Sequence, residues 1–164
     1  MSILVDIQIK EVSQADAIFY WNRDNPDDKY SRNAPNWYNL ENWIVRSVDG
    51  EVVGIAGYTD KGEYAIFGGM KARSKNKPKG GGNWKALLDA RKEKFVGVPK
   101  IVGLKSSKVP QATWVSMNRR AGFQNEDMMN VPEEMVNNFK SRYGDDWGIM
   151  KQVSWFYPFM RGAF

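Results

Sequence analysis

The stretch richest in chemical possibility is Lys77-Pro78-Lys79-Gly80-Gly81-Gly82-Asn83-Trp84. Three consecutive glycines let the backbone bend and approach a ligand with no Cβ in the way. They run into a helical pattern, and a helix N-terminus offers free N–H groups at the positive end of its dipole. Lys71, Arg73, Lys75, Lys77 and Lys79 stand just upstream. Together these features read as a cradle for phosphate, with a flexible, solvated basic loop as the competing reading. The stretch is not a P-loop, because no Lys-Ser/Thr pair follows the glycines. Nor is it a dinucleotide fingerprint, whose glycines are spaced differently.

What the chain lacks narrows the chemistry further. It has no Cys and no His in 164 residues. That excludes disulfides, thiolate metal sites, Ser-His-Asp and Cys-His catalysis and the common zinc sites. Any acid–base work falls to Asp, Glu, Tyr, Lys, water or the N-terminus. No apolar run approaches a membrane span and the N-terminus shows no signal-peptide pattern. A reducing cytoplasm is the expected setting, with no membrane partner.

Charge is unevenly spread. The net charge is +5, yet residues 71–120 hold 14 Lys and Arg against only Asp89 and Glu93, a local balance of +12 that leaves −7 for the rest. Such a segment predicts a polyanionic partner, either a nucleotide-bearing cofactor or a nucleic acid. A solvated basic face is the alternative.

The elements that must position these residues follow from periodicity. Residues 4–10 alternate as a first strand. Ser13 and Asp16 form a capping-box-like helix start, Ala17, Ile18 and Trp21 give its buried stripe, and Pro26 stops it. Residues 25–41 read as a partly ordered loop whose Tyr30, Trp37 and Tyr38 either cap a core edge or line a substrate site. Three strands follow, Trp43 to Val48, Val52 to Tyr58 and Tyr64 to Ala72, with Asp49-Gly50 as a hairpin signal. Residues 83–95 form a helix with Trp84, Leu87, Leu88 and Phe95 on one face, ended by Gly97 and Pro99. Lys100 to Lys105 is a fifth strand, and Pro110 opens a helix that stops at Gly122. Pro132-Glu133-Glu134 opens another helix, and Trp147 to Tyr157 reads as a last strand. With 164 residues and no linker or repeat, a single domain over 1–164 is expected. The order is that of a mixed α/β (α+β) sheet, antiparallel in its first half, flanked by helices and entered by a crossover helix in its second.

This order, with a glycine-rich loop after the third hairpin strand, resembles the GNAT superfamily of acetyl-coenzyme A-dependent N-acetyltransferases. The superfamily's loop is Q/R-x-x-G-x-G/A, and Lys77-Pro78-Lys79-Gly80-Gly81-Gly82 matches it except for Lys at the first place. A second family motif ends in Gly-Phe, matched by Gly122-Phe123. Gln111 stands where Asn is usual, and Asn118 where Tyr is usual. The resemblance covers about residues 4–125, and the small size and loose motifs are similar to short phage-encoded members.

The resemblance implies a mostly antiparallel central sheet and acetyl-CoA as cofactor. Lys77, Lys79, Gly80, Gly81, Gly82 and Asn83 would hold its pyrophosphate, with Lys75 assisting. The backbone of Met70, Lys71 and Ala72 would pair with the pantetheine arm, and Asn118 would hydrogen-bond the cofactor. The reaction implied is direct attack of an amine on the thioester, since no Cys can carry the acyl group. Glu63 is the first candidate for the base, through water, and Asp60 the second. The acceptor would be an amine on a small molecule, a protein or a modified base. Without the usual Tyr acid, the alternative is an inactive module of this fold that binds nucleic acid or a host protein. Arg91, Lys92 and Lys94 lie too far from Gly82 to share one pyrophosphate. They are the expected patch for such binding, with Trp37 or Tyr38 stacking on bases. An Asp at Gly80 or Gly82 is expected to abolish cofactor binding and leave the fold intact.

Overall fold

A computed structural model describes residues 4–30, 40–95, 100–105, 109–125 and 133–152. The elements in chain order are β1 Ile7–Val12, α1 Gln14–Asp24, β2 Asn42–Val48, β3 Glu51–Asp60, β4 Tyr64–Ala72, α2 Asn83–Lys94, β5 Lys100–Leu104, α3 Gln111–Arg120, β6 Phe123–Asn125, α4 Glu133–Tyr143 and β7 Trp147–Gln152. The strands follow the order β1-β2-β3-β4-β5-β7-β6 in one mixed, mostly antiparallel sheet. Its parallel step joins β4 to β5, in register from Tyr64–Lys100 to Phe67–Gly103. The chain forms two compact units, Met1–Thr59 with Gly68–Lys94, and Asp60–Phe67 with Phe95–Phe164. The order of elements expected from sequence is the observed one, with bounds displaced by a few residues at β1 and β3; residues 153–157 of the expected last strand, and Gly97, Pro99 and Pro132, lie outside the described residues.

In the first unit, α1 starts as its sequence dictates: the Ser13 hydroxyl accepts the Asp16 N–H at 3.2 Å. It ends before Pro26 because Asn25 takes over the terminal bonds. The Asn25 N–H reaches Trp21 O at 2.8 Å, and its side-chain amide donates to both Trp21 O and Val52 O at 3.0 Å. Asp49 and Gly50 have φ of 52° and 81°, the tight hairpin the dipeptide signals. The core is built from Ala17, Ile18, Trp21, Trp43, Ile44, Val53, Ile55 and Leu87. Leu87 of α2 fills the space that a Cβ at Gly54 would need, 2.5 Å away.

Asp24 locks α1 to β3. Its Oδ2 accepts the Val52 N–H at 2.8 Å, and Arg23 holds both carboxylate oxygens at 2.8 and 2.9 Å. The Arg23 guanidinium is the main cause that keeps this carboxyl below the usual range. A depressed carboxyl contributes stability above its unfolded value of about 4 and loses it as pH falls through the folded value. Asp24→Asn is therefore expected to lower stability by roughly 1 kcal/mol at neutral pH. Urea unfolding of the two proteins should converge in strong acid.

In the second unit, α3 lies on two glycines. Trp114 occupies the positions that Cβ atoms at Gly103 and Gly148 would take, 2.9 Å away in each case. Phe67 meets Phe95 and Phe123 at centroid distances of 5.4 and 6.1 Å, and Phe139 of α4 meets Trp147 at 5.3 Å. Lys105, buried at the end of β5, donates to Val109 O at 2.7 Å and pairs with Asp146 at 3.1 Å. No helix among the described residues is long and apolar enough to cross a membrane.

Candidate functional site

The end of β4 is shaped by a kink. Gly69 has φ of 62°, a region L side chains avoid, and a Cβ there would meet Trp43 at 2.5 Å. Just before it, Gly68 O accepts from Arg91 of α2 at 3.2 Å, and the same Arg91 Nη1 donates to Gly57 O at 3.1 Å. Met70, Lys71 and Ala72 follow the kink, half-buried. A glycine inside a strand pattern is the sequence signal for such a kink.

After β4 the chain makes two successive turns. The Lys77 N–H donates to Ser74 O and the Gly80 N–H to Lys77 O, both at 3.0 Å. Lys79 sits at φ 62°. Gly80 is buried so tightly that a Cβ would lie 1.7 Å from Ser74 O. Gly81 and Gly82 differ: nothing lies within 4 Å of either Cβ position. Asn83 begins α2 fully buried, with its amide donating to Lys79 O at 2.9 Å and its Oδ1 accepting from Arg46 Nε at 3.0 Å. Arg46, 37 residues away on β2, thus fixes the side chain that fixes the loop. The first intrahelical bond nearby runs from Ala86 N to Gly82 O at 3.0 Å. The N–H groups of Asn83, Trp84 and Lys85 precede it and have no partner within the helix. No acidic residue stands in this first turn. The loop therefore offers an open, positively polarised backbone held from behind by buried contacts.

The cations around the loop divide into two groups. Arg73 is a brace: it donates to Asn25 at 3.0 Å, Asp24 O at 3.1 Å and Pro78 O at 3.2 Å, and it pairs with Glu51. Lys71 pairs with Asp28 at 2.8 Å and Lys77 with Asp27 at 2.6 Å. Lys75 and Lys79 are exposed and enter no ion pair among the described residues. These two are the cations left for an anion.

Asp60, Glu63 and Asn118 belong to the second unit. Asp60 Oδ1 accepts the Gly62 N–H at 2.8 Å and so closes the β3–β4 turn. Glu63 is exposed in the same turn, its N–H bound to Lys61 O at 3.1 Å. Asn118 of α3 donates its amide to Asn125 Oδ1 at 3.2 Å. The structure gathers Met70, Lys71, Ala72, Lys77, Lys79, Gly80, Gly81, Gly82 and Asn83 in the first unit. Trp37 and Tyr38 lie outside the described residues.

Two expectations need correction. Gly80→Asp cannot leave the loop intact, because its Cβ would collide with a backbone carbonyl. Arg91 is not part of a surface patch. It is 6% exposed, and burial pushes its guanidinium down to about 9, which still leaves it charged at neutral pH. Lys94 pairs with Glu11 and stands 5.8 Å over the Tyr58 ring, and Lys94 and Tyr58 hold the Glu11 carboxyl low. Acids from outside the basic segment, namely Asp28, Asp27, Glu51, Glu11 and Asp146, thus meet much of its charge. Arg91→Met would leave Gly57 O and Gly68 O without their charged donor. A loss of about 3 kcal/mol is expected in urea unfolding.

No family model and no curated protein matches the sequence. Solved structures do match the fold. N-acetylglutamate synthase from Neisseria gonorrhoeae, complexed with coenzyme A and N-acetyl-glutamate, aligns with a TM-score of 0.56 at 15% identity over 93% of this chain. The chain spans only 36% of that protein's length. The catalytic domain of a Tetrahymena histone acetyltransferase in complex with coenzyme A gives a TM-score of 0.52 at 14% identity, covering 94% of this chain and 95% of that one. A GNAT-family acetyltransferase from Staphylococcus aureus gives 0.50 at 14% identity, covering 91% and 99%. The strand order, the kinked β4 and the glycine loop before α2 thus belong to a chain that has the fold of the GNAT acetyltransferases.

Proposed function

We propose that the chain is an acyl-coenzyme A-dependent N-acyltransferase that binds its cofactor at the 77–84 loop. The observation that carries this reading is the contrast within the glycine run. Gly80 is locked against Ser74 O, while Gly81 and Gly82 face open space at the start of α2. A pyrophosphate needs close backbone N–H groups and no intervening Cβ, and this loop offers both. Lys75 and Lys79 supply exposed positive charge beside it. The kink at Gly69 re-aims the backbone of Met70–Ala72, which would hold the cofactor's amide-bearing arm. Acyl-coenzyme A, when bound, would supply the thioester: its acyl carbon bonds to the amine nitrogen as the carbon–sulfur bond breaks and coenzyme A leaves as the thiol.

The chain's own part is to position an amine and take its proton. Glu63 is the base in this reading, directly or through water. The acceptor class is an amine on a small molecule, a protein or a modified base. A second reading, a cofactor-binding module without turnover, is favoured by Asn118. It stands at the place of the usual Tyr acid, carries no useful proton and is engaged with Asn125. Calorimetry with coenzyme A and acetyl-CoA tests the shared step, and a null result for both removes both readings. A mass-shift screen of amines with acetyl-CoA then separates them: a +acetyl product supports the enzyme, and binding without any product supports the module.

A further inference from the structure

β1 stands first in the strand order, so its outer edge pairs with no strand among the described residues. It pairs with β2 without a slip, from Ile7–Val48 to Val12–Trp43. Asp6 O accepts the Asp49 N–H at 2.8 Å, so the backbone groups of Asp6 point toward β2. Alternation along the ladder then turns the N–H and C=O groups of Ile7, Ile9 and Glu11 outward. Val5, Ile7 and Ile9 share one face and are 55%, 51% and 45% exposed. An edge of this kind invites strand pairing, and natural edges are blunted by proline, bulges or charged side chains. This edge has no proline and no bulge.

Its charges are arranged with a twofold. An antiparallel copy centred on Gln8 places Ile7 opposite Ile9 of the second copy, Asp6 opposite its Lys10, Val5 opposite its Glu11 and Leu4 opposite its Val12. Ile7 and Ile9 both carry outward backbone groups, so that register also makes hydrogen-bonded pairs. A register centred on Ile9 instead sets Ile7 against Glu11 and Asp6 against Val12, with no charge matched. The Glu11 carboxylate is already met within its own copy by Lys94 and Tyr58. We propose that β1 is a homodimerisation edge through which two copies join antiparallel about Gln8 into one continuous sheet. The interface is isologous, and each contact off the Gln8–Gln8 axis occurs twice.

The test is a charge swap read by sedimentation of the full chain. The wild type should show a concentration-dependent dimer. Asp6→Lys sets Lys against Lys10, and Lys10→Asp sets Asp against Asp6. Each should weaken dimerisation by roughly tenfold or more. An equimolar mixture of the two variants should regain the dimer, because each restores the other's complement. The folds should persist, since both side chains are exposed, and far-UV circular dichroism checks this. A wild type that stays monomeric overturns the proposal. So does a dimer that both single variants leave unchanged, or a mixture that fails to regain it.

Discussion

Gly81→Asp is expected to weaken coenzyme A binding by about a thousandfold while thermal unfolding stays unchanged. The Cβ has open space, so the fold accepts it. The carboxylate would then stand at contact distance from a phosphate. Two unit charges about 4 Å apart at a protein surface repel by about 4 kcal/mol, which is roughly 10³ in affinity. Gly81→Asn tests the cause, since it keeps the shape and lacks the charge. Its affinity should stay near the wild-type value in the same calorimetric titration. Gly82 is the less clean position, because its φ of 75° strains any side chain placed there. Gly80 is the opposite control: even Gly80→Ala should disrupt the turns at Ser74 and Lys77, lowering the unfolding temperature as well as binding. Equal affinity in wild type and Gly81→Asp would move the cofactor away from this loop.

The three glycines look interchangeable in the sequence, and the structure gives them different tasks. One is a packing contact, and two face open space at the start of α2. Local rules are blind to this because the deciding neighbour of Gly80 is the carbonyl of Ser74, brought there by two turns. The elements themselves were legible, since each depends on neighbours in sequence. Ser13 capped α1, Asp49-Gly50 made the hairpin, and Leu87 and Leu88 are buried on α2 as their spacing dictates, whereas Trp84, expected on the same face, is exposed. The charge map was not legible for the converse reason. Arg73 and Lys77 read as phosphate ligands because they flank the loop, yet their acids come from Glu51 and Asp27, 22 and 50 residues away. Arg91 read as surface because arginine is usually exposed. Only the kinked β4 and neighbouring β3 supply the two carbonyls that bury it. Arg46 carried no local signal at all, because its role depends on Asn83 being buried beside it.

Turnover is expected to fall by about 10²–10⁴-fold in Glu63→Gln, with coenzyme A affinity unchanged. The chain has no His or Cys, so a carboxylate is the natural group to take a proton from an ammonium. Two carboxylates flank the turn before β4, and their surroundings differ. Asp60 spends an oxygen on the Gly62 N–H and so works for the turn. The Glu63 carboxylate is exposed and has no hydrogen bond among the described residues, which leaves both oxygens available to an amine or a bridging water. Asp60→Asn should therefore cost mainly turn stability, about 1 kcal/mol, and little turnover. Glu63→Gln keeps the length and polarity of the side chain and removes only its basicity. Rates are to be measured across pH with the amine acceptor found by mass shift. The pH dependence of the wild-type rate should be altered in the variant. A variant whose rate and profile match the wild type would place the base on another residue. A variant that loses affinity for coenzyme A together with its rate would make Glu63 a binding group.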